Sequence, residues 1–210
     1  MYLDNKMIDK TKIMLSAKEL ELVCDTDWIL TKHIIIEKVI ELFSAILVSM
    51  QQQTANKKSN LPVEVFIKDP KISRGENYRQ LPYVMLDYPR YFDKQNTLAI
   101  RTFFWWGNFI SINMQLSGDL KVKATPKLMA HFLELQQNDY WVCVNNNPWQ
   151  HYFEEDNYVP LQIITIEQFD LMLNRELFIK IGKKISVKHW ETAAQFIENS
   201  FEEMILILKN

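Results

Sequence analysis

Two stretches of alternating polarity, Thr97 to Trp105 and Phe109 to Leu116, constrain this chain more than any other feature. The even positions Leu98, Ile100, Phe104, Ile110, Ile112, Met114 and Leu116 are apolar, while Arg101, Ser111, Asn113 and Gln115 occupy odd ones. A period of two is the mark of a strand with two unlike faces. With Trp106-Gly107-Asn108 as the connection, Phe104 falls opposite Ile110, Ile100 opposite Met114 and Arg101 opposite Asn113, so each face agrees with itself. A two-residue connection would set Ile100 beside Asn113 on one face, and a three-residue hairpin loop is therefore expected.

Around this hairpin the pattern predicts helices at both ends and further strands between them. Ser16-Ala-Lys-Glu19 is a capping box, with Leu15 and Leu20 spaced for a hydrophobic staple, and it opens a helix to about Cys24. Asp25, Thr26 and Asp27 offer cap oxygens for a long helix to Gln53. Trp28, Ile35, Ile36, Val39, Leu42, Phe43, Ile46 and Met50 form an apolar face on it, wide enough to imply burial on more than one side. Thr54 to Asn60 is polar and aperiodic, a hinge candidate. Val63 to Ile67 reads as a short strand, Asp69 to Gln80 as a surface loop, and Leu81 to Tyr88 as a strand apolar on both faces.

Leu120 to Lys123 reads as extended, with a helix from Thr125-Pro126 to Gln137. Tyr140 to Val144 is a strand and Trp149 to Pro160 an aromatic, acidic loop. A second capping box, Thr165-Ile-Glu-Gln168, opens a helix to Asn174. Leu177 to Val187 alternates as an outer strand, and Lys188 to Leu208 carries one apolar stripe ending the chain as a helix. The expected fold is α+β, an antiparallel-rich central sheet with long N-terminal and C-terminal helices packed on one face. A length of 210 residues with 48% hydrophobic composition suits one domain, 1–210, with the hinge near 54–60.

Charge and cysteine content narrow the function classes. The chain has 24 Lys and Arg against 26 Asp and Glu, net -2, so the long-range attraction that draws basic proteins to nucleic acid is missing. Charges interrupt the apolar stretch Ile34 to Met50, which reads as a buried helix and not as a membrane span. Cys24 and Cys143 have no paired spacing and read as buried apolar thiols of a reduced compartment. With no export signal in Met1 to Met14, a soluble cytoplasmic protein is expected.

Four glycines, none close to another, give no support to a phosphate-cradling loop, and no nucleophile-elbow motif is present. The four histidines are isolated and lack helical ligand pairing, so neither a metal nor a cofactor is expected. The acidic run beside His151 reads as a solvated loop, and Cys143 in an apolar strand as an inert thiol.

What remains is a set of aromatic and polar residues around the hairpin: Tyr88, Arg90, Arg101, Trp105, Asn113 and Trp149. Aromatic area beside a planar guanidinium suits an anionic or ring-bearing ligand. The competing account makes the aromatics core and pairs Arg101 with a carboxylate such as Asp87. The sequence supports a non-catalytic module binding a small anionic ligand or a protein partner over the polar sheet face. An enzyme using His151 with Glu154 or Asp156 as an acid-base pair is one alternative. A structural protein whose apolar helix faces cover a second copy is the other.

Overall fold

The computed structural model describes residues 13–55, 66 and 68–209. Backbone contacts divide the chain into two compact units, 1–38 and 39–210, the boundary falling inside one long helix. The first unit holds α1 (Ala17–Cys24) and the start of α2 (Thr26–Ala55). Ser16 Oγ accepts from the Glu19 amide at 3.2 Å while the Ser16 amide donates to Glu19 at 2.7 Å. Asp25 ends α1 through its own N–H and begins α2, its Oδ1 accepting from the Trp28 amide at 3.0 Å. The expected capping box and fresh cap are both present. Burial along this stretch differs from expectation: α1 buries no residue, and Trp28 and Ile35 are 52% and 36% exposed. Cys24 is exposed as well.

The second unit is a seven-stranded antiparallel sheet with helices. Its strands are β1 (Lys71–Tyr78), β2 (Leu81–Phe92), β3 (Thr97–Trp105), β4 (Phe109–Ser117), β5 (Trp141–Cys143), β6 (Tyr158–Pro160) and β7 (Phe178–Ser186). Their order is β1-β2-β3-β4-β7-β5-β6. The β3–β4 register is the expected one, with Ile100 opposite Met114 and Arg101 opposite Asn113. Gly107 takes φ 72° at the loop, a conformation that a side chain disfavours.

The even-numbered face is the main core. Leu86, Leu98, Ile100, Phe104, Ile110, Ile112, Met114 and Leu116 are all buried there. α3 (Gly118–Ala130) and α6 (Ala193–Lys209) pack on these strands, and Val39, Phe43, Ile46 and Met50 of α2 are buried at alternating spacings of three and four. α4 (Phe132–Gln137) and α5 (Ile166–Arg175) meet through stacked Phe132 and Phe169. The second capping box holds, with Thr165 accepting from the Gln168 amide.

Several elements differ from the sequence reading. Residues 71–78 form an edge strand, not a loop: one neighbour and half-exposed side chains let an edge carry charged residues. Gly75 lets the Tyr83 ring lie close over the strand, since a Cβ would stand 2.6 Å from that ring and force it to shift. β2 continues through Pro89 to Phe92 by way of an irregularity between Asp87 and Arg90. α3 begins at Gly118 and contains Pro126, with Thr125 donating back to Lys121 O at 3.0 Å and not capping a new helix. β6 lies in the region read as loop. β7 is interior, between β4 and β5. A short 3-10 helix, Val187–Thr192, precedes α6. The strand expected at 63–67 and most of the hinge at 54–60 fall outside the described residues, Thr54 and Ala55 being helical. No helix among the described residues is long and apolar enough to cross a membrane.

Candidate functional site

The odd-numbered sheet face holds the polar residues singled out in the sequence, and it is covered. Residues 144–157, linking β5 to β6, return across it as a strap. Asn145 and Asn147 start the strap with side-chain oxygens that accept from the amides of Asn147 and Trp149 at 2.8 and 3.0 Å, turns that asparagine forms readily. Its aromatics then seal the face. Phe153 stacks on Tyr158 at 4.2 Å, and Phe103, Trp105, Phe109 and Tyr152 complete a second apolar cluster.

Beneath the strap, one register row crosses the sheet as Asp87, Arg101, Asn113, Gly182 and Trp141. Arg101 grips Asp87 with two parallel bonds, Nε to Oδ1 at 2.7 Å and a terminal nitrogen to Oδ2 at 2.9 Å, a buried bidentate pair. Asn113 donates to Ser111 Oγ at 3.1 Å and accepts from Tyr158 O–H at 2.8 Å. Its amide fits because Gly182, directly opposite, has no Cβ; one added there would run into Asn113 Oδ1.

Arg101 reaches His151 Nε2 at 3.0 Å with its remaining arm. A guanidinium only donates, so Nε2 accepts and the ring proton sits on Nδ1. That Nδ1–H is buried without a partner. Burial, followed by the charges of Lys180 and Arg101, holds the imidazole well below its usual range and therefore neutral at physiological pH.

Lys180 is 1% exposed and donates to two strap carbonyls, Pro148 O at 2.9 Å and Gln150 O at 2.5 Å. Burial brings its pKa down to about 8, with Cys143 opposing the shift and Arg101 adding to it. Among the described residues no carboxylate pairs with it, so Arg101 and Lys180 stand against Asp87 alone. Burial pushes the Cys143 thiol up, which keeps it protonated and unreactive.

The six candidate ligand residues do not form one group. Arg101, Trp105 and Asn113 lie under the strap, each bonded within the protein, with Trp105 Nε1 donating to Tyr78 O at 3.2 Å. Trp149, 53% exposed, places its ring 5.7 Å from the Arg101 guanidinium and 6.0 Å from Phe92. Arg90 donates to Asp69 O at 2.6 Å. Tyr88 lies on the helix side, its hydroxyl 2.6 Å from Thr54 Oγ1 and its ring against Phe201.

The acid-base trio is dispersed too. His151 meets Arg101, Glu154 pairs with Arg79 at 3.1 Å on the surface, and Asp156 accepts from Tyr152 O–H at 2.9 Å.

Sequence reasoning missed Lys180 and Tyr78. Lys180 interrupts Ile179 and Ile181 at an alternate strand position, the one signal for a buried polar face on β7. Tyr78, whose hydroxyl accepts from the His151 and Tyr152 amides at 2.7 and 3.2 Å, ends a strand read as loop. Comparison with family models, with curated proteins and with solved structures finds no match.

Proposed function

We propose that this chain is a non-catalytic, cytoplasmic interaction module whose docking element is the N-terminal helical unit. One observation carries the reading: eleven large apolar side chains between Ile13 and Ile35 are at least a third exposed. Ile13, Met14 and Val23 reach 71, 78 and 69%, and Leu30 and Ile34 exceed half. Large apolar side chains scattered singly over a surface are ordinary, but so many within one short segment mark an interaction element. α1 adds a second argument, since eight residues with no buried side chain make a helix that is marginal in water without something to pack on. A photocrosslinking residue at Leu30 should give discrete adducts in cells, and the same residue at Leu177, 90% exposed in the other unit, should give none. Equal labelling from both positions refutes the reading.

A small anionic ligand under the strap is the second reading, favoured by the cationic excess of Arg101 and Lys180 and by the orphaned His151 Nδ1–H. A thermal-shift screen with phosphate and carboxylates should then stabilise wild type and leave Lys180→Met unmoved. A ligand present at 100 times its Kd raises stability by about 2.7 kcal/mol. No shift in wild type removes this reading.

A further inference from the structure

We propose that Phe109, Trp141 and Phe153 form a binding site for the quaternary ammonium head of a small choline-like compound, and that Lys184 is its displaceable internal occupant. The site lies within residues 39–210 and is independent of the N-terminal unit. β4 supplies Phe109, β5 supplies Trp141 and the strap carries Phe153. The Phe153 ring stands edge-to-face to both others, 5.3 Å and 79° from Phe109 and 5.8 Å and 78° from Trp141. The three rings therefore make the walls of a box and not a stack. Stacking on Tyr158 fixes the Phe153 wall.

Lys184 projects from β7, opposite Ser111, onto the same face. Its Nζ lies 4.8 Å from the Trp141 ring centre, 5.2 Å from that of Phe153 and 5.8 Å from that of Phe109. Ring faces attract a cation within about 6 Å of their centres. Two observations show that a bare ammonium fills this box poorly. The first is width. Heavy atoms in contact stand about 3.5–4.0 Å apart, so an ammonium pressed on the centre of a ring would lie closer than this nitrogen does to any of the three. Adding an N–C bond of about 1.5 Å to that contact gives about 5 Å, the spacing a methylated nitrogen takes.

The second is hydrogen bonding. The other two lysines of β7 have oxygen partners, Lys180 in two strap carbonyls and Lys183 in Glu203. Among the described residues Lys184 meets only the three rings, with no carbonyl or carboxylate, and burial pushes its pKa down. A lysine ammonium is strongly hydrated and has three N–H donors to satisfy. A quaternary head has none. Lys184 is half-buried, so its flexible stem has an open side by which to leave, and a head on a stem as slim as lysine's can take its place.

The experiment is saturation-transfer NMR and calorimetric titration of the full chain with choline and with its neutral carbon isostere, in which a tert-butyl group replaces the trimethylammonium head. Lys184→Ala removes the occupant and should bind choline at least about 10-fold more tightly than wild type, whose site is competent only when Lys184 has left. The same variant should prefer choline over the isostere by at least about 10-fold, because only a positive charge is drawn to the ring faces. Adding Trp141→Leu should abolish that preference while keeping the cooperative unfolding of the parent, Trp141 being partly exposed on the short β5. If that variant fails to fold, the choline and isostere affinities of Lys184→Ala decide the matter by themselves. Equal binding of the two compounds overturns the inference, as does the absence of choline binding to Lys184→Ala at about 10 mM, well above the roughly 1 mM Kd of a weak site. Equal choline affinity in wild type and Lys184→Ala also overturns it, because Lys184 would then not be the occupant.

Discussion

Replacing Lys180 by Met separates the cost of a buried ammonium from the worth of the bonds it makes. The folded protein releases this proton from about pH 8, whereas an exposed lysine keeps it to 10.5. Between those values the unfolded chain binds more protons, so stability from this group rises with pH; below pH 8 both states are charged and the full penalty is present. The gap corresponds to about 3 kcal/mol at about 1.4 kcal/mol per pH unit. Met removes the penalty but strands the carbonyls of Pro148 and Gln150, at about 1–3 kcal/mol each, so the two proteins should have comparable stability at pH 7.

Their pH dependences should differ. Urea unfolding at pH 7, 8, 9 and 9.5 should show wild type gaining about 2 kcal/mol on Lys180→Met across that range, the integral of the linkage relation for this shift. Tyr140, Tyr158, Lys121 and Lys184, whose protonation is also perturbed, are common to both proteins and drop out of the difference. A difference constant to within about 0.5 kcal/mol, near the error of such extrapolations, would refute the idea that Lys180 is held charged in a dry site.

Asp87→Ala leaves the Arg101 guanidinium buried and unpaired, and denaturant unfolding should report a loss of about 3–5 kcal/mol. His151 is buried neutral while its unfolded counterpart takes up a proton below about pH 6.5; relative to His151→Gln, wild type should therefore lose stability from pH 7 to 5 with a slope approaching about 1.4 kcal/mol per unit, measured by the same method. Gly182→Ala drives a methyl into Asn113 and should cost about 1–3 kcal/mol in thermal unfolding, partly relieved in the Asn113→Ala background. Tyr78→Phe removes the acceptor of the His151 and Tyr152 amides and should raise the hydrogen-exchange rate of both, with a stability loss of about 1–3 kcal/mol.

The hairpin was legible because its two faces differ, and alternation over two strands leaves one register in which like meets like. Both capping boxes were legible because they are local: Ser16 with Glu19, and Thr165 with Gln168, need nothing beyond their own turn. Elements defined by their neighbours were not. Residues 71–78 have the composition of a loop and become a strand only because β2 supplies bonding partners, and 178–186 reads as an outer strand because Lys180 and Lys184 face a strap that the sequence shows only as an aromatic loop, while Lys183 pairs with Glu203 of α6 on the other side. Pro126 misled in the same way, since its missing N–H is tolerated late in α3 once the surrounding turns are packed.

The polar face of the hairpin carries a more general consequence. Alternation distinguishes a polar face from an apolar one, but it does not say whether water, a ligand or the chain itself covers the polar one. Here the cover is the chain: Asp87 satisfies Arg101, Tyr158 satisfies Asn113, and strap carbonyls satisfy Lys180. Such a network costs desolvation and yields little net stability over an apolar core, but each bond has one geometry, so it fixes where the strap lies. The apolar residues of the N-terminal unit present the inverse case, their pattern implying burial while α1 itself buries none of its side chains. Of the two, the exposed apolar side chains are the stronger pointer to a partner, because the polar row, His151 Nδ1–H apart, is bonded within one chain, whereas large exposed apolar side chains gain from being covered.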